Sequence, residues 1–128
     1  MTQHTKYQTV VVLGASAKPQ RFSYKAVKLL KQHGHTIIPV HPKITEVEKI
    51  VVVANLSEIC EKVDTLTLYI GPDKSQLLMD DIVAMAPGRV IFNPGTESIA
   101  LQEKLSKAGI PFVHDCTLIM LQANQFAL

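Results

Sequence analysis

Tryptophan is absent from this 128-residue chain, and its three tyrosines and four phenylalanines do not alternate with basic residues. A surface for single-stranded nucleic acid interleaves aromatic platforms with cations, so no nucleic-acid partner is expected. Cysteine is scarce too. Cys60 and Cys116 form neither a C-x-x-C pair nor a disulfide framework, which points to reduced thiols in a cytoplasmic protein. No apolar run approaches the roughly 20 residues of a membrane helix. The polar start, M-T-Q-H-T-K-Y-Q, lacks the apolar centre of a signal peptide. No membrane partner is expected. Five histidines occur without H-E-x-x-H or Cys/His ligand spacing, so no metal is expected. Charge is also thin: 19% of residues carry it, and thirteen basic against eleven acidic side chains leave a net +2. That balance is too small to imply a polyanion by itself, and the low charge content favours burial or a homodimer. Hydrophobic residues, at 47%, suffice for one packed core.

What the chain does have is a strand, loop, helix, strand unit from Thr9 to Pro42. Val10–Leu13 is a continuous β-branched and aliphatic run, as expected of a strand covered on both faces. A helical pattern follows from Ser23 to His33, with Ser23 at the expected N-cap and Gly34 as the stop. Thr36–Val40 is the second strand. Further strands are expected at Ile50–Val53, Asp64–Ile70, Arg89–Phe92 and Ile110–Val113. Asn55–Glu58 reads as a capping box opening a short helix. Longer helices are expected at Lys74–Met85 and Glu97–Lys107. Cys116–Leu121 is an apolar closing segment of undecided type. Strand and helix alternation predicts α/β architecture: a single Rossmann-like doubly wound domain over residues 1–128, with a mostly parallel five-stranded sheet flanked by helices. Residues 1–8 read as a short tail. A strand order of 3-2-1-4-5 would set the loops Gly14–Phe22 and Gly71–Asp73 on either side of one crevice, where open α/β sheets bind ligands.

Gly14-Ala15-Ser16 follows the first strand directly. Its small side chains would leave main-chain amides bare for a diphosphate, with Lys18 and Arg21 close by as countercharge. Neither G-x-G-x-x-G nor Walker A spacing is present. The second strand ends in Val40-His41-Pro42-Lys43, with no carboxylate to hold ribose hydroxyls. His41 and Lys43 could instead pair with a ribose phosphate. NADP and coenzyme A both carry one.

The blocks Gly14-Ala15-Ser16, Lys18-Pro19, Arg21-Phe22-Ser23-Tyr24 and Ile38-Pro39-Val40-His41-Pro42 resemble the small single-domain CoA-binding proteins, a family similar to the nucleotide-binding domain of succinyl-CoA synthetase. Asn93-Pro-Gly-Thr-Glu97 and Asp115-Cys-Thr-Leu118 extend the resemblance over most of the chain. It implies a Rossmann-like fold that binds coenzyme A, with no established reaction. Gly14–Ser16 would hold the diphosphate, with Arg21, Ser23 and Lys25 near phosphates and His41, Pro42 and Lys43 near the adenosine. Gly71 would face them across the crevice. Three readings follow: a non-catalytic coenzyme A or acyl-CoA binder, a small NADP-type binding protein or reductase, and an interaction module with a vestigial site. Cys116, two residues after His114, reads as a structural thiol, and Asp80-Asp81 as solvated helix surface. The apolar tail Leu118–Leu128 would favour self-association.

Overall fold

Val10, Val11 and Val12 are fully buried in an inner strand of the sheet, β1 (Thr9–Leu13), which is paired on both sides. The structure, a computed structural model, describes residues 7–128. After β1 come α1 (Phe22–Gln32), β2 (Thr36–Val40), β3 (Glu46–Val47) and β4 (Ile50–Val51). A single 3₁₀ turn then leads to β5 (Thr65–Leu68), α2 (Pro72–Ser75), α3 (Met79–Met85) and β6 (Arg89–Phe92). The chain closes with α4 (Ile99–Lys107), β7 (Phe112–His114) and α5 (Thr117–Gln122). The five-stranded sheet runs β2-β1-β5-β6-β7, every pair parallel. This is the doubly wound, Rossmann-like architecture expected.

Alternate side chains feed two cores. Val11, Leu13, Leu66, Leu68 and Phe92 meet Ile82 of α3 with Leu101 and Leu105 of α4 on one face. Val10, Val12 and Ile91 meet Val27 and Leu30 of α1 with Met120 and Leu121 of α5 on the other. Each fully buried Leu or Ile contributes about 1.5–3 kcal/mol.

The expected order 3-2-1-4-5 is corrected at one edge. Ile50–Val53 does not enter the sheet as a third strand. It folds back as the antiparallel hairpin β3–β4 and reaches the sheet only through a single Val40–Val53 bridge. The cause is local: Glu48 and Lys49 take positive φ (50° and 65°) and close a two-residue turn between Val47 and Ile50. The last strand, β7, makes up the fifth place on the opposite edge.

Helix details differ as well. Arg21, not Ser23, is the N-cap of α1, and no side chain caps it. Ser23 is the second helical residue and is buried. Gly34 does end the helix, at φ +88°. The Asn55–Glu58 capping box reduces to a 3₁₀ turn in which Asn55 Nδ2 donates to the Glu58 carboxylate at 2.9 Å. Lys74–Met85 is split into α2, a 3₁₀ turn at Gln76–Leu78 and α3, with the break at Leu78 (φ −111°, ψ 6°). The closing segment is helical. Met120, Leu121 and Phe126 are buried in the chain's own core, so the tail expected to self-associate leaves chiefly Ile119 and Leu128 exposed. Of the expected tail, residues 1–6 lie outside the described residues, and Gln8 is buried. It donates its N–H to His35 Nδ1 at 3.0 Å and its side-chain amide to the Phe126 carbonyl at 3.0 Å.

Candidate functional site

The carboxyl ends of β2, β1, β5 and β6 lie side by side and open into one cleft of about 750 Å³. Small-molecule sites have this size and position. At roughly 4.8 Å per strand, the four ends span about 14 Å.

At the β1 end, Gly14, Ala15, Ser16, Lys18 and Arg21 line the cleft. Gly14 has φ +92°, and an added Cβ would lie 2.7 Å from Ile70 Cγ2. Only glycine lets the β1 end press against the β5 end. The expected bare amides are partly corrected. The N–H groups of Gly14 and Ala15 both donate to the Val40 carbonyl at 3.1 Å, because β2 closes over the loop. One step later in the loop, the Ser16 and Ala17 N–H groups have no protein acceptor among the described residues, and neither do those of Phe22, Ser23 and Tyr24 at the uncapped start of α1. The Ser16 hydroxyl accepts from Lys18 N–H at 3.1 Å and keeps its own hydrogen to donate. The anion-binding feature is therefore the loop crest and the helix start, where the dipole favours negative charge.

At the β2 end, His41 and Lys43 line the cleft, and Pro42 does not. Pro42 is exposed and turns the chain so that Lys43 and Ile44 donate their N–H groups to His41 Nδ1 at 3.0 and 3.3 Å. Both donors meet Nδ1, which leaves Nε2 as the ring nitrogen without a protein partner among the described residues. Lys25 also stands outside the lining. One turn below Phe22, its ammonium sits 5.5 Å from that ring's centroid.

At the β5 end, Gly71 takes its expected place, joined by Tyr69, Ile70 and Lys74. Burial pushes the Tyr69 phenol up to about 12, so it is a neutral donor and no base. At the β6 end come Pro94, Gly95 and Thr96. Asn93 beneath them is buried. Its Nδ2 donates to Thr67 Oγ1 and the Leu68 carbonyl, each at 2.7 Å, and its Oδ1 accepts from Thr117 N–H at 2.9 Å. Lys74 and the Pro94–Thr96 turn were missed in the sequence. A basic residue just after Gly71-Pro72 was the available signal for the first. The second depended on knowing that β6 neighbours β5.

Lys18, Arg21, Lys43 and Lys74 thus surround a cleft whose lining includes no carboxylate. Among the described residues the one ion pair is Lys104–Asp80, on the surface between α4 and α3. His114 hydrogen-bonds Gln102 at 2.8 Å and stacks on Phe92, and neither it nor Cys116 lines the cleft. No helix among the described residues is long and apolar enough to cross a membrane.

Comparison with solved structures gives an uncharacterised protein at 43% identity and TM-score 0.90, covering 95% of this chain and 100% of that one. A Thermus thermophilus protein, cell-free ID.343, follows at 29% identity and TM-score 0.86, covering 94% and 91%. A dinucleotide-forming acetyl-coenzyme A synthetase 1 of Ca. Korarchaeum cryptofilum matches at 19% identity and TM-score 0.70, over 83% of this chain and 25% of that one; this likeness is one of fold alone. Among curated proteins, YneT of Bacillus subtilis, itself uncharacterised, is 33% identical over 60 residues, 47% of this chain and 44% of that protein. The match spans less than half of that relative's length. A family model described as a CoA binding domain covers residues 8–122, from the strand that enters the sheet to the helix that closes it, and the chain belongs to the CoA binding domain family.

Proposed function

We propose that this chain is a single-domain binder of coenzyme A or an acyl-CoA, without a reaction of its own. The observation that carries the reading is the carboxylate-free cleft at the β1 crossover, ringed by Lys18, Arg21, Lys43 and Lys74 and floored by the uncapped start of α1. A diphosphate would meet the Ser16, Ala17, Phe22 and Ser23 amides with Lys18 and Arg21. A ribose phosphate would meet Lys43 and the Nε2 edge of His41. The β5 and β6 ends, with Tyr69, Ile70 and Pro94, are left for the pantetheine arm. Absence of catalysis is supported by the lining: His41 Nδ1 is occupied by two N–H donors, and the Tyr69 phenol stays protonated.

Isothermal titration and thermal melts with coenzyme A, dephospho-coenzyme A and NADP test this. At a hundredfold excess over Kd, coenzyme A stabilises by about 2.7 kcal/mol. Dephospho-coenzyme A binds more weakly, and Lys43→Ala removes about tenfold from coenzyme A affinity with little effect on the dephospho form. NADP outcompeting coenzyme A would overturn the reading in favour of a nucleotide-binding protein or reductase. No response to any of the three would leave the interaction module. The reading includes a cytoplasmic setting, supported by two unpaired cysteines, Cys60 and Cys116. It also includes a homodimer, supported by Val113 and Ile119, exposed on the last strand and last helix. A solution mass of 14.1 kDa by light scattering would remove the dimer.

A further inference from the structure

Phe22 has no packing role. It opens α1, it is 67% exposed, and it belongs to neither core. It lines the cleft next to Ser23. The Lys25 ammonium stands over its ring, and a ring backed by a cation keeps its second side for another flat group. Ile44 is the other large apolar side chain on this half of the cleft. It leads into the β3–β4 hairpin, which is pegged to α1 by bonds from the Tyr24 hydroxyl to the Glu48 carboxylate and from Lys31 Nζ to the Glu48 carbonyl at 2.9 Å. The α1 and β2 side of the cleft thus offers an aromatic ring and a branched aliphatic chain, with the donors of His41 and Lys43 close by. Apolar faces and a polar rim are what a purine base presents in return.

We infer that Phe22 is the stacking platform for the heteroaromatic base of the ligand, and so a specificity-determining residue that separates the nucleotide half of coenzyme A from its phosphopantetheine arm. The inference rests on the coenzyme A reading above. Stacking on Phe22 places the base over the helix start, the diphosphate on the loop crest and the arm toward β5 and β6.

The experiment titrates wild type, Phe22→Ala and Phe22→Leu with coenzyme A, adenosine 3′,5′-bisphosphate and 4′-phosphopantetheine. Phe22 is exposed and outside both cores, so the variants keep the fold. The Ala variant should bind coenzyme A and the bisphosphate roughly 3- to 10-fold more weakly and phosphopantetheine unchanged. The Leu variant should restore less than half of the loss on the logarithmic scale. Because the chain has no tryptophan, Phe22→Trp supplies a lone indole that can be excited apart from the three tyrosines. Its emission should change with the bisphosphate and stay constant with phosphopantetheine. Equal weakening for both halves, full restoration by leucine, or unchanged affinity in the Ala variant would each overturn the inference while coenzyme A binding stands. Failure of wild type to bind coenzyme A would instead sink the proposed function, and this inference with it.

Discussion

Asn93 shows how much of the cleft depends on one side chain that a ligand need not touch. It ties the β6 end to β5 and to the start of α5 through three hydrogen bonds, and the Pro94–Thr96 turn hangs from it. Asn93→Leu keeps the volume and leaves the Leu68 carbonyl and Thr117 N–H without their partner. The expected cost is about 3 kcal/mol, read from urea unfolding with an unchanged slope; a loss below about 1 kcal/mol would mean that the network contributes little. At the opposite end of the sheet, His35 accepts the Gln8 N–H on Nδ1. Burial, helped by the neighbouring charges of His33 and Arg89, holds its imidazole below the usual value of 6.5. The unfolded chain therefore takes up this proton first. The contribution is fully present above about pH 6.5 and is lost as pH falls below it. Between pH 7 and 5 the urea midpoint should fall more steeply in wild type than in His35→Asn, and parallel slopes would refute that assignment. Residue chemistry of this kind was only partly legible in the sequence. Lys18, Arg21, Lys43 and the small Gly14–Ser16 run were visible because they follow strands directly. The occupation of the Gly14 and Ala15 amides was not, because it depends on the Val40 carbonyl reaching across from another strand.

At the scale of elements, regular patterns were readable and local turns were not. β1 and α1 follow from an unbroken Val run and from three-to-four apolar spacing, and both are present where the pattern puts them. Ile50–Val53 looks like a strand by composition and becomes half of a hairpin, because Glu48 and Lys49 adopt backbone conformations that neither residue advertises. α4 carries a test of capping. Ser98 Oγ accepts the Leu101 N–H at 3.1 Å, and Ser98 is buried. Ser98→Ala should lose about 1 kcal/mol in chemical denaturation, with Ser98→Asp recovering most of it. An Ala variant as stable as wild type would show that α4 is held by Leu101 and Leu105 alone. α1 is the contrary case. Its start has no side-chain cap, although Ser23 sits within reach in sequence. A capped α1 would be more stable, and its amides would no longer be open to a ligand. Arg21→Asp should therefore raise the melting temperature of the empty protein and weaken coenzyme A binding at least tenfold; a gain in both would contradict the role given to the helix start.

For the molecule as a whole, strand order joined four separated stretches into one cleft, and that order came from which side of β1 each crossover took. Five places in the sheet were legible; the identity of the edge strand was not. The gathering of Lys18, Arg21, Lys43 and Lys74 around a lining without acids has an effect on the empty protein too. Like charges repel one another until an anion arrives. Ionic strength should then act with opposite sign on the two states. Added sodium chloride shields the empty cleft and lifts its melting temperature, while the extra stability conferred by coenzyme A shrinks, since screening reaches about 8 Å at physiological salt. The two melting curves would draw together as salt rises, so that the protein holds its cargo most firmly in the dilute medium where, unloaded, it is least robust.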